Sequence, residues 1–213
     1  MFLGGREGIR MHVSDGVISV TVAVVTTAAA IGLIAYSTKG IKEEEIPKIS
    51  LLSGAFFVSS LITIPIGPTS VHPLLGGFLG LVLGRRAPLG IFIGLLLQAT
   101  LFQHGGLTTL GANTLLMAIP AVLIYILAKT FTRTPHFLKG FLAGFLAIGF
   151  AVCLLILLLL FSDHRYGDGT FSVVNMVILA YLPLAIIEGI LTGFSVKYLY
   201  SVRPTFFEVL EKK

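Results

Sequence analysis

Seven stretches with almost no charge divide this chain, and they limit what it can become. They cover residues 17–36, 49–64, 72–83, 88–102, 111–131, 137–161 and 173–200. A helix crossing the ~30 Å hydrocarbon core needs ~20 residues. The second and third stretches are short, one stopped by Pro65 and Pro68 and the other broken by Gly76-Gly77. Only 12% of the 213 residues are charged, against about 25% in soluble domains. An all-α membrane protein of about seven transmembrane helices is expected, with Pro183 a candidate kink in the last. The 24 glycines suit close helix packing. Ala28-x-x-x-Gly32 and Gly140-x-x-x-Gly144 are candidate contact motifs, read first as internal packing.

The basic residues give a sidedness. Lys39, Lys42, Lys48, Arg85, Arg86, Lys129, Arg133, Lys139, Lys197, Arg203, Lys212 and Lys213 all fall on one side of the seven-span arrangement. The opposite loops carry only Arg165. The excess of Lys and Arg in cytoplasmic loops then predicts a cytoplasmic C-terminus and an external N-terminus, in the cell membrane of a prokaryote. This accounts for the net charge of +5, and no basic, aromatic-interleaved stretch points to nucleic acid. Arg6 and Arg10 are the exceptions, and both disappear if the chain begins at Met11. Residues 1–10 have no apolar core of a signal peptide. Gly5-Arg6-Glu7-Gly8 can be encoded by codons containing GGAGG, a bacterial ribosome-binding sequence. Residues 1–10 are therefore expected to be an upstream extension, 11–203 a membrane-embedded metal-binding domain and 204–213 a cytoplasmic tail.

On the predicted outer side lie two uncharged but polar, glycine-rich segments. One runs Pro65-Ile66-Gly67-Pro68-Thr69-Ser70-Val71-His72-Pro73, the other from Gln98 through His104 and Thr108 to Asn113. Irregular backbone at membrane depth is tolerated inside protein or along a cavity, so His12, His72 and His104 are expected to converge on one outward-facing pocket. A lone histidine at a membrane edge is more often a hydrogen-bonding residue than a ligand; three on one face make the two readings even. His136 belongs with the basic loop around it, and His164 sits in a charged outer loop unsuited to ligation. Cys153, within Ala-Val-Cys-Leu-Leu-Ile, reads as a small buried hydrophobe. Glu188 is the one carboxylate deep in a span, which makes it a functional candidate by default, as an orienting group for a pocket histidine or a tie to a neighbouring span. Asp15 would cap the first helix or brace the N-terminal loop.

If Met11 is the first residue, its amine, the His12 amide nitrogen and the His12 ring Nδ1 can close two fused rings on one ion. Adding His72, or His104 in its place, makes four nitrogens able to lie in a plane. Planar nitrogen sites select Ni(II) or Cu(II). Calcium or magnesium would want clustered carboxylates, and zinc a fuller tetrahedral set. The expected ion is nickel, with cobalt second. No Walker motif, nucleophile elbow or catalytic carboxylate pair is present, so an enzyme is not expected. A chain that holds an ion in the membrane needs an energised partner or, as a stand-alone permease, a gradient.

Four segments carry a resemblance: Met-His-x-x-Asp-Gly at Met11–Gly16, Ser-Val-His-Pro-x-x-x-Gly at Ser70–Gly77, Gln-His-Gly-Gly-Leu-Thr-Thr-Leu-Gly-Ala-Asn at Gln103–Asn113, and Pro-Leu-Ala-Ile-Ile-Glu-Gly at Pro183–Gly189. From Met11 to about Tyr200 the chain resembles the nickel/cobalt substrate-specific components of energy-coupling-factor transporters. The resemblance implies a seven-helix protein with its N-terminal end tucked into the core. It implies metal held by Met11, His12 and His72 as transported substrate, and no tightly bound organic cofactor. Asp15, Ser70, His104, Thr108, Asn113 and Glu188 are expected to line or brace the pocket. The implied partners are a transmembrane coupling protein, cytoplasmic ATPase subunits and a separate small accessory membrane subunit.

Overall fold

The uncharged runs become helices where the backbone has no reason to stop them. The computed structural model describes residues 13–62, 64–66, 69–130, 134–167 and 173–211. Helix α1 is Val20–Thr38, opened by Ser19, whose hydroxyl accepts from the Val22 N–H at 3.4 Å. Helix α2 is Ile46–Ser59, with Pro47 in its first turn, where the missing N–H costs nothing.

The second apolar run was expected to stay helical to residue 64, but α2 ends five residues earlier. Ser59 and Ser60 turn their hydroxyls back onto the carbonyls of Phe56 and Phe57, a local bond that competes with helix continuation. Pro65 then disfavours helical backbone at the residue before it. Strands β1 (Ile64–Ile66) and β2 (Thr69–Val71) form an antiparallel hairpin instead, pairing Ile64 with Val71 and Pro65 with Ser70.

Helix α3 (Gly76–Leu83) lies at the centre, with every residue buried. Glycine makes this possible: a Cβ on Gly77 would collide with the Ala143 carbonyl, and one on Gly80 with Ala121. A 3₁₀ turn, Gly84–Arg86, leads into α4 (Ala87–Phe102). Then come α5 (Leu110–Ala128), α6 (His136–Ser162) and α7 (Val173–Val202), which continues through Pro183. The tail forms a 3₁₀ turn, Pro204–Phe207, and a one-turn helix α8, Glu208–Glu211.

Among the described residues there are seven helices of two or more turns, α1 to α7. Among the described residues, five segments are long and apolar enough to cross a membrane: Val20–Thr38, Gly76–Phe102, Leu110–Ala128, His136–Ser162 and Val173–Val202. The 14 residues of α2 rise only ~21 Å. The chain has the build of a multi-pass membrane protein.

Helices α6 and α7 make the most extensive pair. Gly140 and Gly144 lie against the backbone of Thr192, Gly193 and Glu188, so this small-residue motif is internal, as read from the sequence. The other motif is not, because a Cβ on Gly32 would meet nothing within 4 Å. Cys153 also corrects an expectation: it lies on the exposed face of α6. Membrane helices are apolar on lipid-facing and inward sides alike, so its apolar neighbours did not distinguish the two.

The basic end of the bundle is tied by Arg86. Its buried guanidinium donates to the carbonyls of Ser37 (2.6 Å), Lys39 (3.0 Å) and Gly40 (2.7 Å), and forks onto the Glu45 carboxylate at 2.8 and 3.0 Å. Hydrogen bonding from Arg86 holds the Glu45 carboxyl below its ordinary range, against a smaller opposing effect of burial. Beside it, the exposed His136 stacks on Tyr200 at 3.9 Å, and Tyr200 on Phe207 at 4.1 Å.

Candidate metal site

At the other end of the bundle, the loop between α4 and α5 is shaped by the way α4 stops. Gln103 adopts a left-handed conformation (φ 52°), and its N–H bonds the Gln98 carbonyl. The next N–H, that of His104, bonds the same carbonyl at 3.1 Å. This fixes where the His104 ring starts. The chain then turns through Gly105 (φ 75°) and Gly106 into α5.

That loop grips the segment leading into α1. The Asn113 side chain accepts from the Val13 N–H at 2.8 Å and donates to the Val13 carbonyl at 3.0 Å. Thr109 donates to the same carbonyl at 2.6 Å. Two residues on, the Asp15 carboxylate accepts from the Thr108 N–H at 3.1 Å and from the Thr108 hydroxyl. Gly106 packs directly under Asp15, with no space for a Cβ. Asp15 therefore braces the N-terminal loop, and the cap of α1 falls to Ser19.

His72 follows β2 and is buried. Its ring meets that of His104 edge-on, with centroids 5.4 Å apart and planes at 73°. Two helices hold the backbone just beyond it. Ser59 at the end of α2 donates to the Pro73 carbonyl at 3.1 Å. Glu188, fully buried in α7, accepts from the N–H groups of Leu74 and Leu75, the latter at 3.2 Å. Leu75 is left-handed (φ 50°) and opens α3. A carboxylate at the start of a helix is well matched to the unsatisfied N–H groups there.

Of the residues singled out in the sequence, His72 meets His104, Asp15 meets Thr108, Asn113 meets Val13, and Glu188 meets the backbone after His72. Ser70 contributes its backbone to β2, paired with Pro65. Met11 and His12 lie outside the described residues. Among the described residues no three His, Cys, Asp or Glu side chains gather as a metal cluster, and two imidazoles alone do not complete a four-coordinate shell. Gln98 and Thr109 fall within the outer polar segment singled out in the sequence but with no role of their own there, and Ser59 had no sequence signal. Thr109 stands one helical turn before Asn113 and was open to detection by that spacing; nothing near Ser59 signalled its bond to Pro73.

Residues 12–206 match the family described as the cobalt uptake substrate-specific transmembrane region, CbiM. The chain belongs to the CbiM family. Family members transport metal and are not enzymes. A Haemophilus influenzae protein named for metal transport is 31% identical over 187 residues, covering 85% of this chain and 89% of that one. The cobalt transport protein CbiM of Thermosipho melanesiensis is 32% identical over 220 residues, covering 94% and 91%. A fused nickel transport protein, NikMN of Rhodobacter capsulatus, is 33% identical over 115 residues, or 51% of this chain and 33% of that one. Two solved structures titled as transition-metal transporters share the fold. One has a TM-score of 0.77 at 23% identity, covering 89% of this chain and 98% of that one. The other has 0.78 at 24%, covering 90% and 93%.

Proposed function

We propose that this chain is the substrate-capture subunit of an ATP-driven energy-coupling-factor importer, and that it binds Ni(II), with Co(II) the alternative, from the outer face of a prokaryotic plasma membrane. The observation that carries this reading is the meeting of three polar segments at one end of the bundle. The His72 and His104 rings lie side by side, and Asn113 and Thr109, from the same loop region as His104, clasp Val13. Val13 directly follows His12 in the sequence. In this reading the chain used by the cell begins at Met11. The Met11 amine, the His12 amide and ring, and His72 supply four nitrogens, and His104 stands beside the ligand set.

Ser70, Thr108 and Asn113 line or brace the pocket, and Glu188 holds the histidine-bearing loop. The C-terminus faces the cytoplasm, where the basic end of the bundle meets a transmembrane coupling protein and its ATPases. The family relatives named for cobalt and nickel transport support the ion class. Metal analysis of the purified protein, paired with mass measurement of its N-terminus, tests the reading. A Met11 terminus with one equivalent of nickel is expected. Undiminished nickel binding by a chain with an intact Met1 terminus would overturn the terminal chelate, and undiminished binding in His72→Ala would overturn the histidine. ATP-dependent uptake requiring the partners separates this role from that of a gradient-driven permease.

A further inference from the structure

Gln98 sits in an otherwise apolar turn of α4, Leu95-Leu96-Leu97-Gln98-Ala99, and is 1% exposed. Neither the oxygen nor the nitrogen of its side-chain amide has a hydrogen-bond partner among the described residues. A buried amide left in that state is penalised, and an apolar side chain of similar size would avoid the penalty. Such a residue calls for a partner beyond those the described residues give it in the metal-free chain.

Its position says which partner. Gly90, Gly94 and Gln98 recur at four-residue spacing on one face of α4. That face closes on α2: a Cβ at Gly90 would lie 3.3 Å from the Ser53 hydroxyl, and one at Gly94 would meet Phe56 and, at 3.3 Å, the Ser53 carbonyl. The helices advance in the same direction, and further along Phe57 and Phe102 are in ring contact at 5.6 Å. Gln98 therefore faces the last turn of α2, where Ser59 holds the carbonyl of Pro73, the residue after His72. Its own backbone carbonyl anchors the N–H of His104. Gln98 lies where the supports of the two histidine loops meet.

We propose that Gln98 is a positioning residue of the metal pocket: when the ion is bound, its side-chain oxygen accepts the His72 ring N–H that points away from the metal and so presents the other ring nitrogen to it. Metal-bound histidines generally donate their second N–H to such an acceptor, which fixes tautomer and ring orientation. The inference rests on the reading of His72 as a ligand. The test uses the purified full-length protein with its native N-terminus, titrated with nickel and followed by the metal's visible absorption. Gln98→Leu should fold with thermal stability at or above that of the metal-free wild type. Its nickel affinity should fall about 10- to 100-fold, with a shifted absorption band. Gln98→Glu, which keeps an acceptor oxygen, should recover most of the affinity. Wild-type affinity and spectrum in Gln98→Leu, or in Gln98→Met if the leucine variant fails to fold, would overturn the proposal. His72→Ala separates the two levels: if it binds nickel like the wild type, the ligand reading fails and this inference with it. If only the Gln98 variants behave like the wild type, this inference alone fails.

Discussion

Asn113 satisfies both backbone groups of Val13, a residue 100 positions earlier in the chain. One side-chain amide thus fixes the height and rotation of the segment entering α1 at Val13. Asn113→Ala orphans a buried N–H, and Thr109 alone then serves the Val13 carbonyl. We expect a loss of ~1–3 kcal/mol in stability and a larger proportional loss of metal binding. Asn113→Asp keeps the acceptor and loses the donor, and should fall between. Thermal unfolding and nickel titration on the same samples check both.

Gly106 makes a sharper case, because an added methyl has no rotamer of its own and would meet the Asp15 backbone nitrogen as well as its carboxylate. A methyl there would coincide with the Asp15 carboxylate, so Gly106→Ala must push Asp15 off Thr108. The expected signature is local: the helical content of the bundle stays intact, while protease susceptibility near Asp15 rises and nickel affinity falls. Limited proteolysis with and without nickel reads it, and unchanged protection would contradict the bracing role of Asp15.

Much of this was legible in the sequence, for definable reasons. The helices were, because an apolar run of membrane length has few other folds. The histidine loops were, because hydroxyls, amides and glycines stand out in so apolar a chain. The facing of each helix was not: Cys153 and Gly32 point outward in α6 and α1, and lipid favours the same side chains that protein interiors do. The end of α2 was missed because it turns on serines bonding their own backbone. Ser59 is an ordinary helix residue until the fold shows its bond to the Pro73 carbonyl.

Glu188 should behave as an acceptor for the first turn of α3. Glu188→Ala removes the bonds to Leu74 and Leu75 and leaves one buried and one part-buried N–H without a partner, the buried one alone costing ~1–3 kcal/mol. Glu188→Gln retains a carbonyl oxygen for both and should restore most of the stability and metal affinity. If Gln is as damaging as Ala, the negative charge rather than the hydrogen-bonding oxygen is what α3 requires. Unfolding in detergent, compared across the two variants and the wild type, distinguishes these outcomes.

The far end of the bundle makes an independent prediction in pH. The Glu45 carboxyl is held below its ordinary value, chiefly by hydrogen bonding from Arg86. A lowered folded pKa contributes stability that is fully present above the unfolded value and is lost as pH falls through the folded one. The wild type should therefore lead Glu45→Gln in thermal stability near neutral pH, and the lead should shrink to nothing on acidification below about pH 4. The lead should be small, since the Glu45 side chain is 38% exposed and such pairs are screened. Arg86→Lys should cost more than Glu45→Gln at every pH. A single ammonium cannot reproduce the fork that reaches Ser37, Lys39, Gly40 and Glu45 together, so backbone carbonyls at the end of α1 would be left short of donors whatever the charge on Glu45. A lysine variant as stable as the wild type would mean that charge alone, without the fork, ties α1, α2 and α4 together.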